Sequence, residues 1–245
     1  MHVGHVLILG AGSDVAVACG HEFARQGYDL YLAGRDLAKL DAHVKDYQIR
    51  HGVKAASVAF DANNFGDHAL FYKSLNPSPV ITICVFGLLG DQTRSQDDWK
   101  ECELVIDANY KGAVSILNHV ANDYEARKSG TIIGISSVAG DRGRQSNYIY
   151  GSAKAAFTAY LSGLRNRLAR SGVHVMTVKP GFIRTKMTEG LPLPKPLTAE
   201  PHQVATTIFR GAKKRKNTVY VLPAWRPIMF IIRNIPEGIF KKLKL

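Results

Sequence analysis

Apolar positions along this chain come in two alternating patterns: short continuous runs, and longer stretches repeating every three to four residues. The run Val3–Leu9 stops at Gly10 and reads as a buried parallel strand. Asp14–Gln26 follows as a helix closed by Gly27. The alternation continues with a strand at Asp29–Ala33 and a helix at Asp36–Arg50 with Gly52 just past its end. Ala55–Phe60 is a third strand, Phe65–Leu75 a helix and Val80–Phe86 a fourth strand. Ser95–Ala108 and Lys111–Arg127 read as two helices in series, followed by a strand at Thr131–Ser136. Asn147–Arg170 is a long helix, Val173–Lys179 a strand, Pro201–Lys214 a helix and Thr218–Leu222 a last strand. Leu191–Pro201, with four prolines, reads as a loop of the kind that carries substrate contacts.

Strands alternating with helices at this spacing predict an α/β fold, a doubly wound parallel sheet of about seven strands with helices on both faces. The 245 residues suit one such domain and are too few for two plus linkers. Residues 1–222 are therefore expected to form a single Rossmann-type unit, with 223–245 a separate basic amphipathic segment. No run approaches the roughly 18 apolar residues of a spanning helix. Met1–Leu9 lacks the basic start and cleavage site of a signal peptide. Cys19, Cys84 and Cys102 show no paired spacing and suit a reducing cytoplasm. The nine histidines show no metal-ligand spacing, so no metal is expected.

Gly10-Ala11-Gly12-Ser13-Asp14-Val15-Ala16 joins the first strand to the first helix. Such a turn lets backbone approach a phosphate at a helix N-terminus, where free N–H groups and the positive dipole end lie. Asp14 puts a negative charge near that phosphate. It can instead cap the helix, leaving Ser13 to contact phosphate or ribose. After the second strand the first charged residue is Arg35, where an acid would bind the ribose of NAD. Arg35 is placed to pair with a 2′-phosphate, which favours NADP(H); the alternative is a solvated turn residue, with Asp36 capping the next helix. Asp61-Ala62 and Phe86-Gly87 fall after the third and fourth strands, where they can face adenine and bring backbone close to the cofactor.

Tyr150 and Lys154 stand four apart on one helical face. A neighbouring ammonium favours phenolate and makes Tyr150 a usable acid–base near neutral pH. Ser137 lies thirteen residues upstream at a strand end. With Asn109 and Pro180-Gly181-Phe182-Ile183-Arg184-Thr185 in the same order, the chain from Val3 to about Leu222 resembles the short-chain dehydrogenase/reductase family. The resemblance implies that Tyr150 protonates a carbonyl oxygen as hydride arrives, or takes the alcohol proton in reverse. It implies that Ser137 orients that oxygen and that Lys154 holds the nicotinamide ribose. It further implies that Asn109 holds a water linking Lys154 to solvent, and that Pro180, Gly181, Ile183 and Thr185 seat the nicotinamide. Family members also form homo-oligomers.

The chain departs from the family at Asp14 and Ala16, where glycines are usual, and at Cys84-Val85-Phe86-Gly87. With Gly87-Leu88-Leu89-Gly90-Asp91 and Gly140-Asp141-Arg142-Gly143-Arg144, these features are similar to decaprenylphosphoryl-2-keto-ribose reductases, which act on a keto-sugar carried on a polyprenyl phosphate. Arg142 and Arg144 are then either contacts for an anionic substrate or solvated loop charges. Two other functions share the fold: a reductase of small soluble ketones, and a non-enzymatic NADP(H)-binding regulator. The joint presence of Ser137, Tyr150, Lys154 and Asn109 favours an enzyme.

The formal net charge is +12, and nine basic residues against Glu237 between Lys213 and Leu245 concentrate it at the C-terminus. There, Ile228–Ile232, Ile235, Ile239, Phe240, Leu243 and Leu245 interleave with Arg and Lys. That pattern suits an interfacial segment on an anionic membrane, which would place the protein at the inner face, with Pro236 and Gly238 dividing it into two short helices. Subunit packing and closure over the substrate cleft are the competing readings. Nucleic-acid binding has a basic tail in its favour but no binding motif, and is not expected.

Overall fold

The structure, a computed structural model, describes residues 3–244. Met1, His2 and the Leu245 that ends the apolar tail pattern lie outside the described residues.

The chain runs β1 (His5–Leu9), α1 (Asp14–Arg25), β2 (Asp29–Gly34), α2 (Leu37–His51), β3 (Ala55–Ala59), α3 (His68–Ser74) and β4 (Ile81–Cys84). It continues through α4 (Gln92–Asp97), α5 (Trp99–Ile106), α6 (Gly112–Arg127), β5 (Thr131–Ile135), α7 (Tyr148–Leu168), β6 (His174–Lys179) and β7 (Phe182–Ile183). The last elements are β8 (Thr198–Ala199), α8 (Pro201–Lys213), β9 (Thr218–Tyr220), α9 (Trp225–Asn234) and α10 (Glu237–Phe240).

Seven strands form one parallel sheet in the order β3-β2-β1-β4-β5-β6-β9. In β1, Val6, Leu7, Ile8 and Leu9 are all fully buried, because both faces of a parallel sheet are covered by helices. The two-residue period of a strand then separates two cores. Val6 and Ile8 pack with Val15, Cys19, Leu40 and Ile208, from α1, α2 and α8. Leu7 and Leu9 face Phe71, Ile116, Leu117 and Phe157, from α3, α6 and α7. Strand order reverses between β1 and β4, and such sheets bind ligands at the carboxyl ends of the strands beside that reversal.

The element boundaries differ from the sequence pattern where polar side chains or backbone turns intervene. The helix expected over Ser95–Ala108 is two helices, because the Asp98 carboxylate accepts from Lys100 N at 2.9 Å and starts α5 afresh. A π-helical turn at Asp107–Lys111 then joins α5 to α6, and Asn109 lies within it. The segment Phe65–Leu75 begins with a 3₁₀ turn at Phe65–Asp67 before α3. The loop 191–201 contains a 3₁₀ turn and the two-residue β8, which pairs in parallel with β7. A two-residue strand is too short to give a sequence rhythm.

Past β9 the chain folds back over the sheet's carboxyl edge. Trp225 and Met229 of α9 are buried with Val138, just after β5. Arg142 holds the end of α9: its Nη1 donates to the carbonyls of Ile232 at 2.7 Å and Ile235 at 2.6 Å, and its Nη2 pairs with Glu237 at 2.9 Å. Its guanidinium also lies 3.6 Å from the Phe240 ring centroid. Arg142 is therefore neither a substrate contact nor a solvated charge. It satisfies the open carbonyls of a helix C-terminus. Among the described residues no helix is long and apolar enough to cross a membrane.

Candidate active site

A cavity of about 300 Å³ opens along the carboxyl ends of β1, β4, β5 and β6. One end is walled by Gly12, Ser13, Asp14 and Val15 at the start of α1, the other by Ser137, Tyr150, Lys154 and Trp225.

The phosphate end follows from backbone geometry. Gly10 has φ +84°, and a Cβ there would lie 2.7 Å from Cβ of Phe86. Glycine is required for β1 to turn this tightly against the end of β4. Ser13 caps α1, its Oγ accepting from Ala16 N at 3.3 Å. Asp14, which the sequence offered as the cap with Ser13 left for phosphate or ribose, is instead the first helical residue, and Ser13 takes the capping role. Its carboxylate accepts from Lys186 N at 2.9 Å, tying α1 to the segment after β7. The carboxylate that a phosphate would meet unfavourably is thus engaged by a loop N–H. Lys39 Nζ, 2.9 Å from the Gly12 carbonyl, adds a cation at this end.

Arg35 is exposed at the tip of β2 and makes no ion pair among the described residues. It borders a separate hollow with Phe60, Asp61, Asn64 and His68. Asp36 caps α2 through Lys39 N at 3.1 Å. The Asp61 carboxylate accepts from Asn63 N at 2.9 Å, and the Ala62 carbonyl abuts Gly112. Phe86 packs against Phe60, with ring centroids 5.8 Å apart, while its neighbours Val85 and Gly87 line the main cavity.

At the other end, β5 and α7 bring Ser137, Tyr150 and Lys154 together. Ser137 Oγ accepts from Ala139 N at 3.1 Å, and its hydroxyl acts on the Tyr150 phenol. Lys154 is buried, with Nζ donating to the Ile135 carbonyl at 3.1 Å and standing 5.7 Å from the Tyr150 ring centroid. Gly87 makes this arrangement possible, since a Cβ there would lie 2.5 Å from Asn109 Oδ1 and 3.1 Å from Lys154 Nζ. Asn109 is buried behind Gly87. Its Nδ2 donates to the Leu88 carbonyl at 2.6 Å and the Val105 carbonyl at 2.8 Å, and its Oδ1 accepts from Leu88 N at 3.3 Å. The side chain expected to hold a water thus also fixes the loop after β4 to the π-helical turn.

Burial dominates the site's ionisation. It pushes the Tyr150 phenol up to about 12, with the Ser137 hydrogen bond opposing it. It pushes the Lys154 ammonium down to about 8. The sequence predicted a phenol lowered by Lys154; in the folded site burial raises it, and the opposing influence is Ser137. Tyr150 is thereby held protonated near neutral pH.

Pro180, Gly181, Ile183 and Thr185 line the cavity after β6, and the Trp225 indole fills the space beside Gly181. Trp225 is held there by Nε1 donating to the Leu197 carbonyl at 3.1 Å. Sequence reasoning did not find Trp225, Leu89, Phe182 or Met187, which line the same cavity, whereas Leu191 begins the loop expected to carry substrate contacts. A tryptophan directly after the last strand was the available signal. The others are ordinary apolar residues of loops and of the two-residue β7, placed only by the fold.

The model of the short chain dehydrogenase family matches residues 4–195. An uncharacterised oxidoreductase of Mycobacterium tuberculosis is 32% identical over 244 residues, covering 97% of this chain and 96% of the relative. Another, from Streptomyces coelicolor, is 31% identical over 245 residues, covering 97% and 95%. Among solved structures, a short-chain dehydrogenase from Sphingobium yanoikuyae in complex with NADPH aligns with a TM-score of 0.83 at 23% identity, covering 96% of this chain and 98% of that one. A bulky-bulky ketone specific alcohol dehydrogenase from Comamonas testosteroni aligns with a TM-score of 0.81 at 20% identity, covering 97% of each chain.

Proposed function

The chain belongs to the short-chain dehydrogenase/reductase family of oxidoreductases, and we propose that it is an NADPH-dependent carbonyl reductase working through Tyr150, Ser137, Lys154 and Asn109. The observation that carries this reading is the meeting of the Ser137 hydroxyl, the Tyr150 phenol and the Lys154 ammonium at one end of the cavity.

The residues present fit a nicotinamide dinucleotide. Gly10 and Gly87 leave room where a Cβ would clash, and Ser13 with the first turn of α1 offers a phosphate seat. Arg35, exposed and without an ion pair among the described residues, would take the 2′-phosphate, with Asp61 and Ala62 on the adenine side. Pro180, Gly181, Ile183 and Thr185 would seat the nicotinamide end. When bound, NADPH supplies the hydride.

The chain's own residues supply the proton. The Ser137 hydroxyl donates a hydrogen bond to the carbonyl oxygen and aims it at Tyr150. Tyr150 transfers its phenolic proton to that oxygen, and the alcohol leaves. Lys154, charged below about pH 8, stabilises the phenolate that remains. Asn109 keeps the 87–89 loop clear of Lys154.

The finer reading is that the substrate is a keto-sugar on a lipid phosphate carrier. It is supported by α9, which borders the cavity with Trp225 and leaves Phe230 and Ile231, 70% and 64% exposed, on its outer side. Such a helix can rest on a membrane while the cleft beneath it receives a headgroup. The test is a turnover screen with NADPH against keto-sugars on lipid phosphate carriers and simple ketones. NADPH oxidation with a carbonyl substrate supports the enzyme. A preference for simple ketones over every lipid-linked sugar overturns the finer reading.

A further inference from the structure

Arg144 stands apart from the other basic residues of this chain. It lines the cavity on the segment between Ser137 and Tyr150. Its Nε is buried and has no hydrogen-bond partner among the described residues, and its Nη2 contacts the thioether of Met229 at 3.4 Å. Among the described residues no carboxylate lies within ion-pair distance of it. Asp141, the acid that acts on it electrostatically, is engaged by Lys179 through one oxygen and by Tyr220 through the other, at 2.8 Å. Burial accordingly weakens the proton affinity of the guanidinium, though an arginine keeps its charge at any working pH.

A half-buried cation facing a cavity without a counter-ion is unfavourable unless something enters to pair with it. Its position indicates what that would be. Met229, its contact, clusters with Val138 and Trp225, so the guanidinium lies at the Ser137 end of the cavity. The phosphate seat of the cofactor is at the opposite end, by Gly12 to Val15. Asn147, three residues on, also lines the cavity and has a buried Oδ1 without a partner among the described residues, an acceptor for a hydroxyl. We infer that Arg144 is a specificity-determining residue that pairs with an anionic group, carboxylate or phosphate, carried by the substrate a few bonds from its carbonyl. This rests on the reading of the cleft as a carbonyl-reductase site.

Two matched pairs of ketones test it: dihydroxyacetone phosphate against dihydroxyacetone, and acetoacetate against ethyl acetoacetate. Calorimetric binding to the NADP⁺ complex reads Arg144, while turnover of the same ketones reads the reductase assignment, so failure of one is distinguishable from failure of the other. The expected result is tighter binding of at least one anionic member than of its neutral partner. Arg144→Gln should weaken that anion about tenfold or more and leave the neutral ketone and NADPH affinity within about twofold. Arg144→Lys, which keeps the charge but loses the fork, should fall between. The phosphate and carboxylate arms show which anion the site takes. Equal affinity for charged and neutral partners in both pairs overturns the inference. So does an equal loss for both members in Arg144→Gln, which would make the side chain structural, or a loss confined to NADPH, which would assign it to the cofactor.

Discussion

The indole of Trp225 lies against Gly181 and occupies the space that a side chain at that position would need. A residue expected from the sequence to seat the cofactor is therefore also the floor on which α9 closes. Gly181→Ala should force the indole outward, at a cost on the order of 1–3 kcal/mol for overpacking. It should also raise the KM for substrate more than that for NADPH. Steady-state kinetics with thermal denaturation check this; an unchanged substrate KM in a stable variant would contradict the closure.

Arg35 is exposed beside the hollow that also holds Asp61, with no protein carboxylate paired to it among the described residues. Arg35→Ala should weaken NADPH binding by about tenfold or more, since charge-assisted contacts to phosphate contribute roughly 1.5–3 kcal/mol, and should scarcely change NADH binding. Fluorescence titration with both cofactors makes the comparison. Equal losses would remove the 2′-phosphate assignment.

The ionisation of the site sets a pH profile. Lys154, lowered by burial to about 8, carries its charge below that pH and loses it above. Tyr150, raised to about 12, remains protonated throughout. Carbonyl reduction should therefore be level at neutral pH and fall as pH rises through about 8, as the cation facing the nascent phenolate is lost. Lys154→Arg should carry the falling limb upward by more than about one unit. A kcat profile level through pH 10 in the parent enzyme would contradict the assignment.

The C-terminal segment offers a fourth measurement. Phe230 and Ile231 point away from the cleft, and Arg226, Arg233, Lys241, Lys242 and Lys244 are exposed around them. Each such cation contributes about 1 kcal/mol near an anionic bilayer. The full chain should co-sediment with anionic vesicles at low salt. Phe230→Ser combined with Ile231→Ser should release it, leaving Trp225 and the cleft intact. If the parent ignores the vesicles and these substitutions instead dissociate an oligomer in light scattering, the face is a subunit interface.

The sheet was legible because a parallel strand buried on both faces needs an unbroken apolar run, and Val6 to Leu9 supplies one. Ser137, Tyr150 and Lys154 were legible from order and spacing along the chain. The direction of the Tyr150 shift was not, because burial depends on what α9 and the loop after β4 cover, and spacing says nothing of that. Arg142 and Arg144 look alike in sequence. Only the fold shows that the first clamps the carbonyls of α9 and the second faces the cavity. Only Asn109 and Tyr110 read as a gap between two helices, inside what is a π-helical turn at Asp107–Lys111, because no residue pattern marks such a turn.

The central claim is that the Tyr150 phenol supplies the proton for carbonyl reduction, and Tyr150→Phe tests it most directly. The substitution removes one hydroxyl from a packed site and leaves Ser137, Lys154 and the cofactor seat in place. With the best ketone from the NADPH screen, single-turnover reduction should slow by about 10²–10⁴-fold. NADPH affinity and the thermal midpoint should stay close to those of the parent. A Tyr150→Phe enzyme that turns over within about twofold of the parent would place the acid elsewhere and contradict the account.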